Sequence, residues 1–297
     1  LNSILQKSLA SSDITITAEV MPPRGGDISK TLAAAENLNG FVHSVNVTDG
    51  SRAIMRMSSL AVCKLLLENN IEPILQIACR DKNRIGIQAE ILGAHALGIR
   101  NLLCLTGDPV RAGDQPNARP VHDYESVKLL KQVAAFNKGE DPVSGLLPNG
   151  PTELFPGAAA DPNSTNANSL RKRLERKKLA GARFVQTQMI MDARNLEQFC
   201  KEISDPLELP VLAGVFLLKS AKNAEFINKV VPGACIPTSI VNRLANAKDP
   251  SLEGIQIAAE QVRRFTGIAK GVHIMAIKAE HHIPAILNQA KINLPSL

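Results

Sequence analysis

"ITITAEVMPPRGGD", residues 14–27, is the stretch on which the choice of fold turns. Ile14, Ile16 and Ala18 alternate with Thr15, Thr17 and Glu19, the two-residue period of a β-strand. The polar face of that strand ends in a carboxylate, and two prolines and two glycines follow at once. An open, doubly wound sheet usually carries a GxGxxG turn after its first strand. Here Pro22 and Pro23 stiffen the exit instead, and Gly25 and Gly26 let the chain turn into a helix. The alternation puts Thr15, Thr17 and Glu19 on one face, expected to be the inner face of a closed sheet.

Strand-like and helix-like segments alternate downstream. Further strands are expected at 43–50, 73–81, 101–108, 154–162, 183–192, 210–218 and 271–278. Helices are expected at 28–38, 52–70, 83–98, 123–136 (capped by Asp123) and 169–180, after the caps Asp192 and Ser220, at 238–246, from Asp249–Pro250 onward, and at 280–291. Continuous alternation implies parallel strands. Eight strand–helix units are what an α/β fold of the (β/α)8 TIM-barrel type needs, here as a single domain over residues 1–297. No solenoid period is present.

Composition narrows the function classes. With no Trp, one Tyr and eight Phe, the chain offers little stacking surface for nucleic acid. No apolar run approaches the ~20 residues of a membrane span, and no signal-peptide pattern is visible. The chain begins at Leu1 rather than Met, which leaves room for residues upstream. Five cysteines form no CxxC pair and no zinc spacing with His, so no metal is expected. They read as small buried residues of a reducing, cytoplasmic protein. Net charge is +6, and basic residues concentrate only in "LRKRLERKKLAG", 170–181. That run is either a solvated helix face or an anion site for a phosphate-bearing cofactor.

In a barrel the C-terminal strand ends form the active face. Those ends carry Glu19; Asn46, Thr48 and Asp49; Gln76, Arg80 and Asp81; Thr106 and Asp108; Asp161; Gln186, Thr187 and Gln188; and His273 and Lys278. Glu19 stands out because it lies within a strand pattern, and Asp108 because a Thr-Gly turn holds it. Two carboxylates in different environments can divide into a proton donor and an ionised stabiliser.

The segments "AEVMPPRG" (18–25), "VNVTDG" (45–50), "ACRDKNRIGIQAEILGAHALGIRNLLCLTGDP" (78–109), "LERKKLAGARFVQTQ" (174–188) and "HIMAIK" (273–278) together resemble methylenetetrahydrofolate reductase, the flavin enzyme of one-carbon metabolism and methionine biosynthesis. The resemblance covers nearly the whole chain. It implies a barrel that holds FAD at its C-terminal face, with NADH or NADPH as hydride donor and 5,10-methylenetetrahydrofolate as acceptor. It makes Glu19 the acid that protonates folate N10, so that the five-membered ring opens to an iminium ion, and Asp108 the charge beside that cation. Gln188 and Lys278 would bind substrate. Thr48, Gln76, Thr106, Asp108, Gly157, Ala159, Asp161 and Lys177 would bind FAD. The acid must carry a proton near neutral pH, which calls for a sheltered site.

The chain also departs from the family pattern. Gln76 stands where the best-known bacterial form has His, Thr106 where it has Arg, and Lys278 where it has Arg. "GAAADP" replaces a stretch with Tyr and His, and a small residue near Ala221 replaces an aromatic. These changes spare Glu19, Asp108 and Gln188 and fall on the flavin edge and donor site. Two alternatives follow: a flavin- or pterin-binding subunit that takes electrons from a partner protein, as some family members do, and a non-redox pterin methyltransferase on a similar barrel. Homo-oligomers are common among such relatives.

Overall fold

The computed structural model describes residues 3–231 and 233–292. Residues 1–2, 232 and 293–297 of the expected 1–297 domain lie outside the described residues. Eight strands run β1 (Thr15–Val20), β2 (Ser44–Val47), β3 (Pro73–Ala78), β4 (Asn101–Leu105), β5 (Phe155–Ala160), β6 (Phe184–Met189), β7 (Val211–Phe216) and β8 (Gly271–Met275). Each pairs in parallel with the next, and β8 returns to β1, so the sheet is the closed (β/α)8 barrel. The helices are α1 (Ile4–Ala10), α2 (Ser29–Glu36), α3 (Ser59–Glu68), α4 (Arg84–Ala96), α5 (Ser126–Phe136), α6 (Ala167–Leu179), α7 (Ala193–Phe199), α8 (Ala221–Val230), α9 (Thr238–Asn246), α10 (Pro250–Phe265) and α11 (Ile283–Ala290). No helix among the described residues is long and apolar enough to cross a membrane.

The two-residue period sorts every strand into an outer and an inner set. Ile16, Ala18, Val20, Val45, Val47, Leu75 and Ile77 face the helices in one large apolar layer. Low in the barrel the inner set forms an apolar cluster of Ile74, Leu103, Phe155, Phe184 and Leu212, and at the top of β7 and β8 Phe216 and Met275 add a second apolar edge. The Phe155 and Phe184 rings stack with centroids 5.5 Å apart. A Cβ on Gly157 would come within 2.2 Å of the Phe184 ring, so the missing side chain makes room for that ring.

Helix α1, not foreseen from the sequence, closes the bottom of the barrel. Its Leu5 and Leu9 join the inner apolar cluster. Ser3 caps it by accepting from Gln6 N–H, and the Ile4 and Leu5 N–H groups donate to Glu72 at 2.6 and 2.9 Å. The orphan donors of the first turn are thereby satisfied. Two polar residues followed by Leu5 and Leu9 at i, i+4 were the signal for it.

Most expected elements are a few residues shorter than the sequence suggested, and two of these differences bear on the mouth. The helix expected over 52–70 begins only at Ser59. Residues 51–57 are drawn across the mouth instead: Arg56 Nη1 donates to Pro22 O and Met57 N–H to Pro23 O, both at 2.9 Å. Arg52 and Ala53 adopt left-handed backbone there, at φ 58° and 55°. The fourth strand, expected to reach Asp108, ends at Leu105 because Gly107 turns the chain at φ 93°. Helix α5 is capped by Glu125 rather than Asp123, which accepts from Arg84 N–H.

Four cysteines, Cys63, Cys79, Cys104 and Cys200, are buried, but Cys235 is exposed, against the expectation for all five. Burial pushes the Cys79 thiol up to about 12 and Cys200 to about 11, and raises Cys63 and Cys104 as well. These four are therefore thiols at pH 8. A thiol reagent at that pH is expected to titrate one cysteine in the folded chain and five after denaturation. Gly157→Ala is expected to cost about 1–3 kcal/mol by overpacking against Phe184. Urea unfolding measures it, and an unchanged midpoint would show that the ring pair can yield.

Candidate functional site

Above the apolar floor the barrel interior becomes polar. Gln76 Nε2 donates to Asn46 Oδ1 at 3.2 Å, and Asn46 Nδ2 donates to Gln186 Oε1 at 2.9 Å. This buried amide chain crosses from β3 through β2 to β6, and each amide fixes the orientation of the next. On the other side, Thr17 Oγ1 lies 3.0 Å from His273 Nδ1. The strand register sets Thr17 beside His273, and Glu19 beside Asn46.

Glu19 sits one inward step above Thr17, where the polar layer meets the mouth. Its side chain is 13% exposed, and its Oε2 lies 3.6 Å from His273 Nε2. The expectation that Thr15, Thr17 and Glu19 share the inner face holds: Thr15 bonds Ser8 Oγ below, and Thr17 and Glu19 approach the same imidazole. His273 is fully buried, and its Nε2 has no hydrogen-bond partner among the described residues. The sequence placed His273 among the strand ends without assigning it a role. Its signal was parity, since in "GVHIM" it falls in the inward register of Thr17.

The rim over β2, β3 and β4 is tied together by Arg80. This buried guanidinium grips Asp81 with two hydrogen bonds of 2.8 and 2.5 Å. It also donates to the carbonyls of Gly50 and Asp108, at 3.2 and 3.5 Å. The bonds to Asp81 hold the Arg80 pKa above its ordinary value. Asp108 itself is exposed, and its Oδ2 accepts from Arg52 N–H at 2.7 Å. Thr106 lies off this rim, its hydroxyl accepting from Ser126 N–H at the start of α5. Thr48 is buried beside β2, and its Oγ1 has no partner among the described residues.

A pocket of about 240 Å³ opens between the ends of β5 and β6 and helix α6. It brings together Ala159, Asp161, Lys177 and Gln188, four of the residues singled out from the sequence. Lys177 Nζ donates to Ala159 O at 2.7 Å; burial, then Arg173, pushes the ammonium below its usual value. Gln188 reaches the pocket across an irregularity in β6, where the pairing with β7 shifts between Gln186 and Met189. Thr187 Oγ1 fills the gap in the ladder, accepting from Gly214 N–H at 2.8 Å and donating to Gln188 O at 2.7 Å. A Cβ on Gly214 would lie 2.4 Å from Gln188 O, so only glycine permits that approach. Gln188 is exposed, as is Lys278, which stands in left-handed backbone (φ 56°) beyond β8.

Arg173 also lines a second, open pocket of about 430 Å³ with Asn166, Asn168, Ser169, Lys172 and Arg176. The two pockets thus share a wall along α6. Among the described residues no carboxylate pairs with Lys172, Arg173 or Lys177, while Arg171 is paired with Glu175. Of the sequence candidates, Gln76 and Gly157 lie deeper, inside the barrel, and Thr106 outside it. No three His, Cys, Asp or Glu side chains among the described residues converge as a metal site.

The donor set suits a flavin dinucleotide. A buried hydroxyl without a partner, Thr48, is a group that a ligand can satisfy. An uncompensated basic trough along α6 suits a diphosphate tail.

Comparison with known proteins gives the family. Residues 4–291 match the family described as methylenetetrahydrofolate reductase. Methylenetetrahydrofolate reductases 2 and 1 of Schizosaccharomyces pombe are each 22% identical to the chain, over 92% and 93% of it. The chain spans less than half the length of these curated relatives, 44% and 46%. A solved protein from Clostridium thermocellum that binds two copies of 5-methyl-5,6,7,8-tetrahydrofolic acid has the same fold. It superposes with a TM-score of 0.68 at 14% identity, over 97% of this chain and 100% of its own.

Thr48→Val removes a buried hydroxyl that bonds to nothing in the free protein. It is expected to leave stability unchanged or raise it by up to about 1 kcal/mol. Chemical unfolding without added flavin measures this, and a clear loss would mean that the hydroxyl already has a partner.

Proposed function

The chain belongs to the methylenetetrahydrofolate reductase family, and on that premise we propose that it reduces 5,10-methylenetetrahydrofolate to 5-methyltetrahydrofolate at the C-terminal mouth of the barrel, as one catalytic domain. The observation that carries the reading is Glu19: a largely buried carboxyl at the top of the barrel interior, facing the mouth and, among the described residues, ion-paired with no basic side chain other than His273. A carboxyl so placed serves stability poorly and proton donation well.

FAD would be held along the basic trough, where Lys177, Arg173 and Lys172 would serve its phosphates, Ala159 and Asp161 would form the wall, and the Thr48 hydroxyl would be free to bond it. When bound, it supplies the hydride that the folate carbon accepts, having taken it from NADH or NADPH. The chain's own part is proton delivery, orientation and charge placement. Glu19 gives its proton to folate N10, and the bond from N10 to the bridging carbon breaks with its electron pair going to nitrogen. The amide of Gln188, exposed in the pocket and held by the β6 irregularity, orients the pterin edge. Asp108 is aimed by the Arg52 N–H, which leaves its other oxygen toward the cation that forms as the ring opens. Lys278, on the exit of β8, lies on the substrate side. Gln76, buried in the amide chain, acts on the flavin edge through Asn46 rather than as an exposed contact.

Glu19→Gln is expected to keep flavin binding and flavin reduction by NADH or NADPH, and to slow the folate half-reaction by about 10²–10⁴-fold. Anaerobic stopped-flow bleaching, with each nicotinamide and then with methyltetrahydrofolate, separates the two. Equal loss of both half-reactions in a folded, yellow variant would remove Glu19 from the role of acid. Wild-type protein bleached by methyltetrahydrofolate but by neither nicotinamide would assign electron input to a partner protein. Methyl transfer by colourless protein would replace the reductase reading altogether.

A further inference from the structure

Behind the acid lies a histidine with an open nitrogen. His273 is fully buried, Thr17 holds its Nδ1 at 3.0 Å, and its Nε2 has no hydrogen-bond partner among the described residues and points toward Glu19 Oε2 at 3.6 Å. We propose that His273 is the positioning residue of the Glu19 acid: a neutral imidazole, protonated on Nδ1, that turns the Nε2 lone pair toward the carboxyl and so holds the proton on Glu19.

The hydrogen bonds accommodate that tautomer. Thr17 Oγ1 has two neighbours, His273 Nδ1 and, at a longer 3.5 Å, the carbonyl of Val272. A carbonyl only accepts, so the hydroxyl proton turned to it leaves the hydroxyl oxygen to accept from Nδ1–H. One proton on a neutral imidazole then leaves Nε2 bare. A bare nitrogen attracts a carboxyl O–H and repels a carboxylate, and in a sheltered site that difference is large. The groups facing the ring are few. Strand β1 brings Thr17 and Glu19, and β7 places Gly214, without a side chain, opposite His273. Across the interior stand the neutral amides of Asn46, Gln76 and Gln186. Glu19 is the titratable partner among them.

The proton balance is simple. Each turnover of the proposed reaction moves one proton from Glu19 to folate N10 and leaves a carboxylate facing the Nε2 lone pair. The repulsion is relieved when Glu19 takes a proton from water through its exposed edge. His273 loses no proton at any step.

This inference rests on the reductase reading for its kinetic arm and on the structure alone for its spectroscopic arm. In wild-type protein labelled with ¹⁵N-histidine, the His273 resonances at pH 7 are expected to be those of the Nδ1–H tautomer, and Glu19→Gln is expected to shift Nε2. An Nε2–H tautomer or an imidazolium would overturn the proposal, whether or not the protein turns over folate. His273→Phe keeps a ring and removes the lone pair. It is expected to slow the folate half-reaction at least tenfold at pH 7.5, with the deficit shrinking as the pH is lowered. His273→Gln, which restores an acceptor oxygen near the Nε2 position, is expected to recover most of the rate. Flavin reduction by its donor should be unchanged in both. A deficit that is the same at every pH, or none at all, would overturn the proposal. Should the Phe variant not fold, the Gln variant and the wild-type spectrum decide. The expected tautomer in a protein without folate activity would retain the Glu19–His273 pair and remove the reaction assigned to it.

Discussion

Parity governs this molecule. Once eight parallel strands close into a ring, every second side chain is committed to an interior that has no other exit than its two ends. One end is sealed by Leu5 and Leu9 over the stacked Phe155 and Phe184 rings. Polar groups of the inner set can therefore be reconciled with burial only by bonding one another or by lying near the open end. Asn46, Gln76 and Gln186 take the first course, Glu19 the second. His273 takes half of each: one nitrogen is bonded and the other faces the acid.

The rim then divides into two halves of unlike construction. Over β2, β3 and β4, Arg80 binds three loops through Asp81, Gly50 and Asp108. That half presents carboxylate and backbone in fixed positions. Over β5 and β6, the walls are small residues, an exposed glutamine and, along α6, Lys172, Arg173 and Lys177, which pair with no carboxylate among the described residues. Such a half is shaped by what it lacks, namely bulk and counter-charge, and suits a large anionic ligand. Glu19, on β1 between β8 and β2, stands beside the first half.

The sequence showed the barrel clearly because strand-like and helix-like segments alternate along the chain, the first strand marked by its two-residue period and several helices by their caps. Ser220, Asp192 and Asp249 cap the helices they were expected to cap. The site was legible to the extent that residues sat at strand ends: Ala159, Asp161, Lys177 and Gln188 do meet in one pocket. Where reading failed, tertiary bonds had overridden local preference. Residues 51–57 have helical periodicity, yet their donors are claimed by Pro22, Pro23, Asp108 and Asp114 from other loops. Thr106 was read with its neighbours, but the turn at Gly107 sends its hydroxyl toward α5. Cys235 looked like the other cysteines because hydrophobic neighbours in sequence need not be neighbours in space. The Glu19–His273 approach joins residues 254 positions apart, and no local pattern can reveal it.

The plug at the bottom of the barrel also orders events in time. Helix α1 is made before all eight strands, but the surface that receives Leu5 and Leu9 includes Phe184 and Leu212. A ribosome adding about 5–20 residues per second leaves that helix without its full seat for roughly 10–40 s. Through that interval the amphipathic segment must wait, open to water or to a chaperone, until the seventh strand arrives. The floor of the barrel is thus completed by a helix made before any of its strands.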